Sequence, residues 1–184
     1  MTNSTPANPP DRQHQRHHVV LGAGPVGRAV VARLVESGLT PTVVTRSGTE
    51  LPGATARRAD ISVPTELDAA IVGADVVYQC AQPEYHRWPQ EFAPLQSGVI
   101  GAVARSRSLV VVVENLYGYG PVDGALTETL PLRARTRKGA VRARMYLDLV
   151  EAHQAGRIRM VVARASDFFG PHVRVGFATK MTRD

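Results

Sequence analysis

The sequence predicts an α/β fold in which helices cover both faces of a parallel β-sheet. Short runs of β-branched residues alternate along the 184-residue chain with segments of helical apolar period. This alternation favours parallel strands, because each parallel connection needs a crossover and the usual crossover is a helix. A glycine-rich turn also follows the first predicted strand and opens the first predicted helix. These observations predict a doubly wound, parallel-sheet Rossmann fold, which binds ligands at the carboxyl ends of its strands.

Six β-branched runs and four helical segments can be placed along the chain. The predicted strands are His18–Gly22, Thr42–Thr45, Thr55–Ala59, Val76–Cys80, Leu109–Glu114 and Ile158–Ala163. The predicted helices are Val26–Ser37, Pro64–Val72, Phe92–Ala104 and Val141–Ala155. Gly38 and Gly156 fit the ends of the first and last helices, since glycine is favoured just after a helix. The apolar run Val110–Val113 is typical of a strand buried on both faces.

The chain is long enough for one domain with its own core and too short for two. We expect a disordered leader over residues 1–17, a folded domain over 18–176 and a short tail over 177–184. The leader is polar and rich in proline and histidine. No apolar run in the chain has the length of a membrane span or the pattern of a signal peptide. The sequence therefore predicts a cytoplasmic protein with no membrane partner.

Charge and cysteine content narrow the kinds of site that are expected. The net charge is +6, but the arginines are scattered and are not interleaved with aromatic residues, so no nucleic-acid partner is predicted. Cys80 is the only cysteine, which excludes an intramolecular disulfide and a cysteine zinc site. The histidines of the leader are interpreted as part of a solvated tail and not as a metal site. No metal site is predicted.

The glycine-rich turn at residues 22–27 reads GAGPVG and has the spacing of a dinucleotide-binding fingerprint. Gly22 permits the tight turn, Gly24 lets the backbone approach a pyrophosphate, and Gly27 lets the helix and strand pack closely. Pro25 and Val26 open the helix, whose free N–H groups and dipole attract phosphate. These five residues form the predicted core of a cofactor site.

The residue that closes the second predicted strand indicates which nicotinamide dinucleotide binds. An acidic residue there bonds the ribose 2′-OH of NAD, whereas an arginine accommodates the 2′-phosphate of NADP. This chain has Arg46 at that position, with Ser47 as a further hydrogen-bond donor and no acidic residue before Glu50. NADP is therefore the predicted cofactor, and NAD is the alternative.

With these features in place, the chain resembles the NAD(P)-dependent epimerase/dehydratase family, which belongs to the extended and atypical short-chain dehydrogenase/reductases. The resemblance runs from His18 to about Val173. It rests on the fingerprint and on four later segments in the family's order: Ala59–Ile61, Val77–Ala81, Asn115–Pro121 and Arg164–Pro171. The resemblance implies that Asp60 contacts the adenine and that Ala81 lies beside the cofactor.

The catalytic residues are where this chain departs from the family. The family transfers a proton with a Tyr-x-x-x-Lys pair on one helix, aided by Ser or Thr after the fifth strand, and its lysine also binds the nicotinamide ribose. The cationic lysine favours the tyrosinate. None of the five tyrosines here is followed by lysine four residues later. Lys138 and Arg142 have that spacing instead, and Glu114 or Asn115 takes the place of the hydroxyl residue.

Three interpretations of this altered site stay open. In the first, Tyr117 or Tyr119 supplies the proton, with its pKa lowered by Arg142 or Lys138. In the second, Lys138 is itself the acid and base, with a pKa lowered by burial and by neighbouring arginines. In the third, the domain binds the dinucleotide and performs no chemistry. Arg142 is the expected cofactor-holding cation, because the family's lysine has that role.

The substrate side of the site is the least defined by the sequence. The loop at residues 82–88 lies where the family's substrate enters, so Tyr85, His86 and Trp88 are candidates for lining that pocket. The family continues beyond the segment at 164–171 into a C-terminal substrate lobe. The lobe is therefore either absent by evolution or lost because the sequence is a truncated product of a longer gene. We favour truncation and expect an open crevice that exposes apolar surface.

The function predicted is that of an NADP-preferring epimerase/dehydratase-like oxidoreductase domain that acts on a small molecule. Its hydride chemistry would come from the nicotinamide. The alternative is a non-catalytic dinucleotide sensor or interaction module, which the missing Tyr-x-x-x-Lys pair favours. The sequence leaves open the identity of the substrate and whether the protein forms a homodimer.

Overall fold

The computed structural model describes residues 16–166, 168 and 170–173, and six strands form one sheet within them. The strands are β1 (His18–Leu21), β2 (Thr42–Thr45), β3 (Thr55–Arg58), β4 (Val76–Gln79), β5 (Leu109–Asn115) and β6 (Arg159–Ala165). Their order is β3-β2-β1-β4-β5-β6, and every neighbouring pair is parallel. The strand order reverses between β1 and β4, which is where a sheet of this kind forms its ligand crevice.

Helices pack on both faces of this sheet, which confirms the predicted doubly wound α/β class. They are α1 (Pro25–Glu36), α2 (Pro64–Ile71), α3 (Trp88–Ser106) and α4 (Arg137–Gln154). Val31 of α1 packs with Val20 and Val43 on one face. The larger core on the other face contains Leu67 of α2 and Leu149 of α4.

Two helices begin four residues earlier than the sequence predicts, and both shifts bring site residues into helices. Helix α3 begins at Trp88, so Pro89 lies in its first turn. Proline is tolerated there because the first N–H groups of a helix have no intrahelical partner. Helix α4 begins at Arg137 because the hydroxyl of Thr136 accepts a hydrogen bond from the Gly139 N–H, at 3.0 Å. Short 3₁₀ turns at Tyr85–Arg87 and Tyr117–Tyr119 were not predicted.

The prediction that β5 is buried on both faces is wrong for one face. Val110 and Val112 are buried, whereas Val111 and Val113 on the opposite face are only half-buried. Val161 of β6, the register partner of Val111, is 50% exposed. The reason is that the cluster around α1 centres on β1 and β2.

Several expectations fall outside the described residues. These are the leader over residues 1–15, the tail over 177–184, and Asp167 and Phe169 of the last family-like segment. Among the described residues, no helix is both long and apolar enough to span a membrane.

Candidate dinucleotide-binding site

A crevice of about 1810 Å³ runs along the carboxyl ends of the strands, where the fold predicts a ligand site. The turn after β1 forms its centre. Gly22 has φ +96° and donates its N–H to the Val44 carbonyl at 2.9 Å, which joins the turn to β2. A Cβ on Gly22 would lie 2.8 Å from the Cα of Ala81, after β4. Gly22 therefore brings Ala81 and the glycine-rich turn together, as the cofactor prediction requires.

The two other fingerprint glycines have different surroundings. A Cβ on Gly27 would overlap the carbonyl oxygen of Gly22, so this glycine lets α1 pack against the turn. A Cβ on Gly24 would meet nothing within 4 Å, and Gly24 lines the crevice. The open space over Gly24 fits a pyrophosphate that must come close to the backbone. Pro25 and Val26 also line the crevice.

The helix that starts at this turn is suited to an anion. No side chain caps the first N–H groups of α1, and its first turn holds no acidic residue. Arg28 lines the crevice, and its Nε donates a hydrogen bond to the Ala23 carbonyl at 3.0 Å. Free N–H groups and an arginine at a helix N-terminus provide the donors that phosphate oxygens accept.

One end of the crevice carries the residues assigned to the adenosine. Arg46 and Asp60 both line it, and Arg46 is exposed. The N–H and hydroxyl of Ser62 donate to the Asp60 carboxylate at 2.9 and 2.6 Å. These hydrogen bonds, with a smaller contribution from the charge of Arg46, hold the pKa of Asp60 below its ordinary value. Ser47 is exposed beside this end but is not among the residues that line the crevice.

At the other end of the crevice, aromatic rings hold the guanidinium of Arg142. Its Cζ lies 4.2 Å from the ring centroid of Trp88 and 4.3 Å from that of Phe92. Its Nη2 donates to the Gln82 side-chain oxygen at 3.1 Å, and the residue is only 7% exposed. Burial lowers the pKa of Arg142 to about 10, so the side chain remains a cation at neutral pH. The structure therefore places a fixed positive charge on the crevice wall.

The two candidate tyrosines lie in different environments. Tyr117 lines the crevice, is 41% exposed, and lies near enough to Arg142 to interact with its charge. Its N–H donates to the side-chain oxygen of Asn115 at 3.1 Å, which fixes the start of the 3₁₀ turn. Tyr119 is 4% exposed, and its hydroxyl accepts a hydrogen bond from Arg164. Tyr119 does not line the main crevice.

Glu114 lies behind the crevice in a buried cluster of charges. It is 2% exposed, and one carboxylate oxygen accepts a 3.4 Å hydrogen bond from Arg164. Glu114 and Arg142 line the same small cavity, of about 10 Å³. Burial raises the pKa of Glu114, while the charges of Arg164 and Arg142 act in the opposite direction. Glu114 therefore interacts with the charges of both arginines, and it does not itself line the crevice.

Lys138 does not line the crevice itself. Its Nζ lies 2.9 Å from the centroid of the Tyr85 ring, and it is Tyr85 that forms part of the crevice wall. Tyr85 is 55% exposed and contacts Trp88 edge to face, with centroids 4.8 Å apart. Exposed Tyr85 and Tyr117 agree with the expectation of an open crevice with apolar surface. His86 pairs with Glu84 at 3.6 Å and is not a lining residue.

Sequence reasoning missed several residues that define the site. Gln82 and Phe92 hold Arg142, and Cys80 lines the crevice with a thiol whose pKa burial raises to about 12. The i, i+4 spacing of Trp88 and Phe92 was the available signal, since it places two aromatic rings on one helix face. No group of three or more described His, Cys, Asp or Glu side chains is arranged to hold a metal ion.

Comparison with known proteins identifies the class. The model of the NAD dependent epimerase/dehydratase family matches residues 18–183, and the chain belongs to this family. No curated protein matches the chain.

Solved structures of several such enzymes share the fold. A UDP-galactose 4-epimerase matches with a TM-score of 0.76 and 25% identity, over 91% of this chain and 63% of that one. The UDP-glucose 4-epimerase of Brucella ovis, in complex with NAD, matches with a TM-score of 0.72 and 17% identity, over 83% of this chain and 52% of that one. The dTDP-glucose 4,6-dehydratase DesIV of Streptomyces venezuelae, with NAD bound, matches with a TM-score of 0.73 and 20% identity, over 85% of this chain and 57% of that one. The chain thus spans between half and two thirds of the length of these proteins.

Proposed function

We propose that this domain binds NADP(H) in preference to NAD(H), as the cofactor domain of an epimerase/dehydratase-like oxidoreductase. The observation that carries the preference is the position of Arg46, exposed at the adenosine end of the crevice just after β2. The nearby carboxylate, Asp60, is already engaged by Ser62. An exposed arginine at this point favours a 2′-phosphate over a 2′-hydroxyl.

Calorimetric titration of the protein with NADPH and with NADH tests this preference. Arg46→Ala should raise the Kd for NADPH by roughly tenfold or more, because a charge-assisted contact with the 2′-phosphate is lost. The same substitution should leave the Kd for NADH almost unchanged. Arg33→Ala is the matched control, since Arg33 is exposed on α1 and paired with Glu36.

Two results would contradict the proposal. Equal wild-type affinity for both dinucleotides, unaffected by Arg46→Ala, would remove the NADP preference. Failure of the wild-type protein to bind either dinucleotide would remove the cofactor assignment as a whole.

We further propose that Tyr117 is the acid and base of the altered catalytic site, accepting the substrate hydroxyl proton in the oxidation direction and donating it in the reduction direction. The nicotinamide would supply the hydride chemistry, and the protein would position the reactants and provide the group that accepts or donates the proton. Tyr117 lines the crevice beside the charge of Arg142, and a nearby cation favours the phenolate form. Tyr119 is buried and Lys138 lies over Tyr85, and neither of them lines the crevice, so both are weaker candidates. This role requires a small-molecule substrate, for which the open crevice has room.

Tyr117→Phe and Tyr119→Phe form a matched pair that tests this role. We expect Tyr117→Phe to abolish reduction of bound NADP by nucleotide sugars, followed by absorbance at 340 nm, without weakening NADPH binding. Tyr119→Phe should keep most of that activity. Wild-type turnover by Tyr117→Phe would disprove the role. Absence of wild-type turnover across UDP-, dTDP- and GDP-linked hexoses would count against the catalytic proposal and favour the binding-only alternative.

A further inference from the structure

We propose that Arg58, on the edge strand β3, is a second ligand of the NADP 2′-phosphate and therefore a determinant of cofactor specificity. The proposal rests on the proposed preference for NADP. The sequence does not distinguish Arg58 from its neighbour Arg57, which carries the same charge. Both side chains are also exposed in the structure. The parallel pairing of β2 with β3 distinguishes the two arginines.

The sheet register places Arg58 beside the end of β2. Its register partner is Thr45, the residue immediately before Arg46, and the next N–H, from Ala59, donates to the Thr45 carbonyl at 3.0 Å. Neighbouring strands lie roughly 4.8 Å apart. The two arginines therefore start from adjacent points at the same corner of the sheet.

The loop after β2 turns back over the same face of the sheet. Gly48 has φ +70°, and a Cβ there would lie 3.5 Å from the Cβ of Arg58. The hydroxyl of Thr45 accepts a 2.7 Å hydrogen bond from the Thr49 N–H, and the Ser47 and Thr49 hydroxyls are 2.8 Å apart. Since Thr45 and Arg58 are register partners, their side chains lie on one face. The loop hydroxyls and Arg58 thus form one group of potential anion donors.

No carboxylate in the described part of the chain forms an ion pair with Arg46 or Arg58, although Asp60 lies close enough for the charge of Arg46 to lower its pKa. Among the described residues, neither Arg46 nor Arg58 has an Asp or Glu oxygen within 4.0 Å, although Arg33, Arg87, Arg105, Arg144 and Arg164 each have one. Two guanidinium groups that reach towards one point repel each other unless an anion lies between them. A phosphate dianion bound by two arginines and hydroxyl groups would relieve that repulsion and form several charge-assisted hydrogen bonds.

Arg57 provides an internal control for this proposal. Its register partner is Val44, so its side chain starts from the opposite face of β3. Both arginines are exposed, so neither substitution removes core packing. If only the general positive charge of this surface matters, alanine at either position should weaken NADPH binding equally. If Arg58 contacts the 2′-phosphate, only its substitution should weaken binding.

The test compares Arg58→Ala, Arg57→Ala and wild type by calorimetric titration with NADPH, NADH and adenosine 2′,5′-bisphosphate. We expect Arg58→Ala to raise the Kd for NADPH and for the bisphosphate by roughly 5- to 20-fold, and to leave that for NADH unchanged. Arg57→Ala should change none of them by more than about twofold. Equal losses in the two variants, or an equal loss for NADH, would overturn the assignment. If Arg46→Ala weakens NADPH binding and Arg58→Ala does not, only this inference fails. If neither substitution weakens NADPH binding, the proposed preference for NADP fails as well.

Discussion

Gly27→Ala is expected to destabilise the protein by roughly 3 kcal/mol or more, although it adds only one methyl group. The added Cβ would overlap the Gly22 carbonyl oxygen and lie 2.9 Å from its carbonyl carbon. Both atoms are backbone, so a side-chain rotation cannot relieve the contact. Helix α1 would have to move away from β1, and Val31 would leave the core it shares with Val20 and Val43. Thermal or denaturant unfolding measures this loss.

Gly24→Ala separates the structural role of the fingerprint from its binding role. Gly24 has φ −69°, which alanine also adopts, and a Cβ there meets no other atom within 4 Å. We expect its unfolding midpoint to match that of the wild-type protein, while dinucleotide affinity falls because the methyl group occupies the space intended for the pyrophosphate. A Gly24→Ala protein that binds NADPH normally would show that this space is not the pyrophosphate site. A fully stable Gly27→Ala protein would contradict the packing argument.

The fold and the cofactor end of the site could be predicted because they depend on local signals. A β-branched run followed by GAGPVG and a helical period specifies a strand, a turn and a helix that are adjacent in both sequence and space. The position of Arg46 follows from the end of one strand. Such features need no knowledge of which distant segments meet.

The surroundings of Arg142 could not be predicted, because they depend on contacts between distant segments. Gln82 and Trp88 lie more than fifty positions earlier in the chain. Trp88 reaches the guanidinium because α3 packs against α4, and Gln82 reaches it from the loop after β4. Glu114 reaches the same region from the end of β5. The sequence shows that the family's lysine is replaced by an arginine, but not that aromatic rings hold it.

The two tyrosines after β5 show a second reason why the sequence alone could not define the site. In a continued strand, Tyr117 and Tyr119 would point to the same side, and the sequence could not choose between them. The chain instead forms a 3₁₀ turn over these residues. Since such a turn has about three residues per turn, side chains two positions apart differ in direction by roughly 240°. Tyr117 therefore lines the crevice, whereas the hydroxyl of Tyr119 meets Arg164 in the interior.

Arg142→Met is expected to weaken NADPH binding by roughly 10- to 100-fold while leaving most of the stability intact. The flexible thioether can fill the space beside Trp88 and Phe92 and make favourable contacts with their rings. The charge proposed to hold the cofactor near the nicotinamide is lost, and a hydrogen bond to a charged group is worth about 1.5–3 kcal/mol. Calorimetric titration with NADPH and a thermal unfolding curve measure the two effects separately.

Three further substitutions define what Arg142 contributes. Arg142→Ala should lose both binding and roughly 2–4 kcal/mol of stability, because it leaves a cavity between the rings and removes the cation–π contacts. Arg142→Lys keeps the charge but loses the planar group that faces Trp88 and reaches Gln82, so its affinity should lie between those of wild type and Arg142→Met. Arg144→Met, two residues along α4 and exposed beside Asp148, should bind NADPH as the wild-type protein does. If Arg142→Met also binds NADPH normally, Arg142 does not hold the cofactor, and that part of the proposal fails.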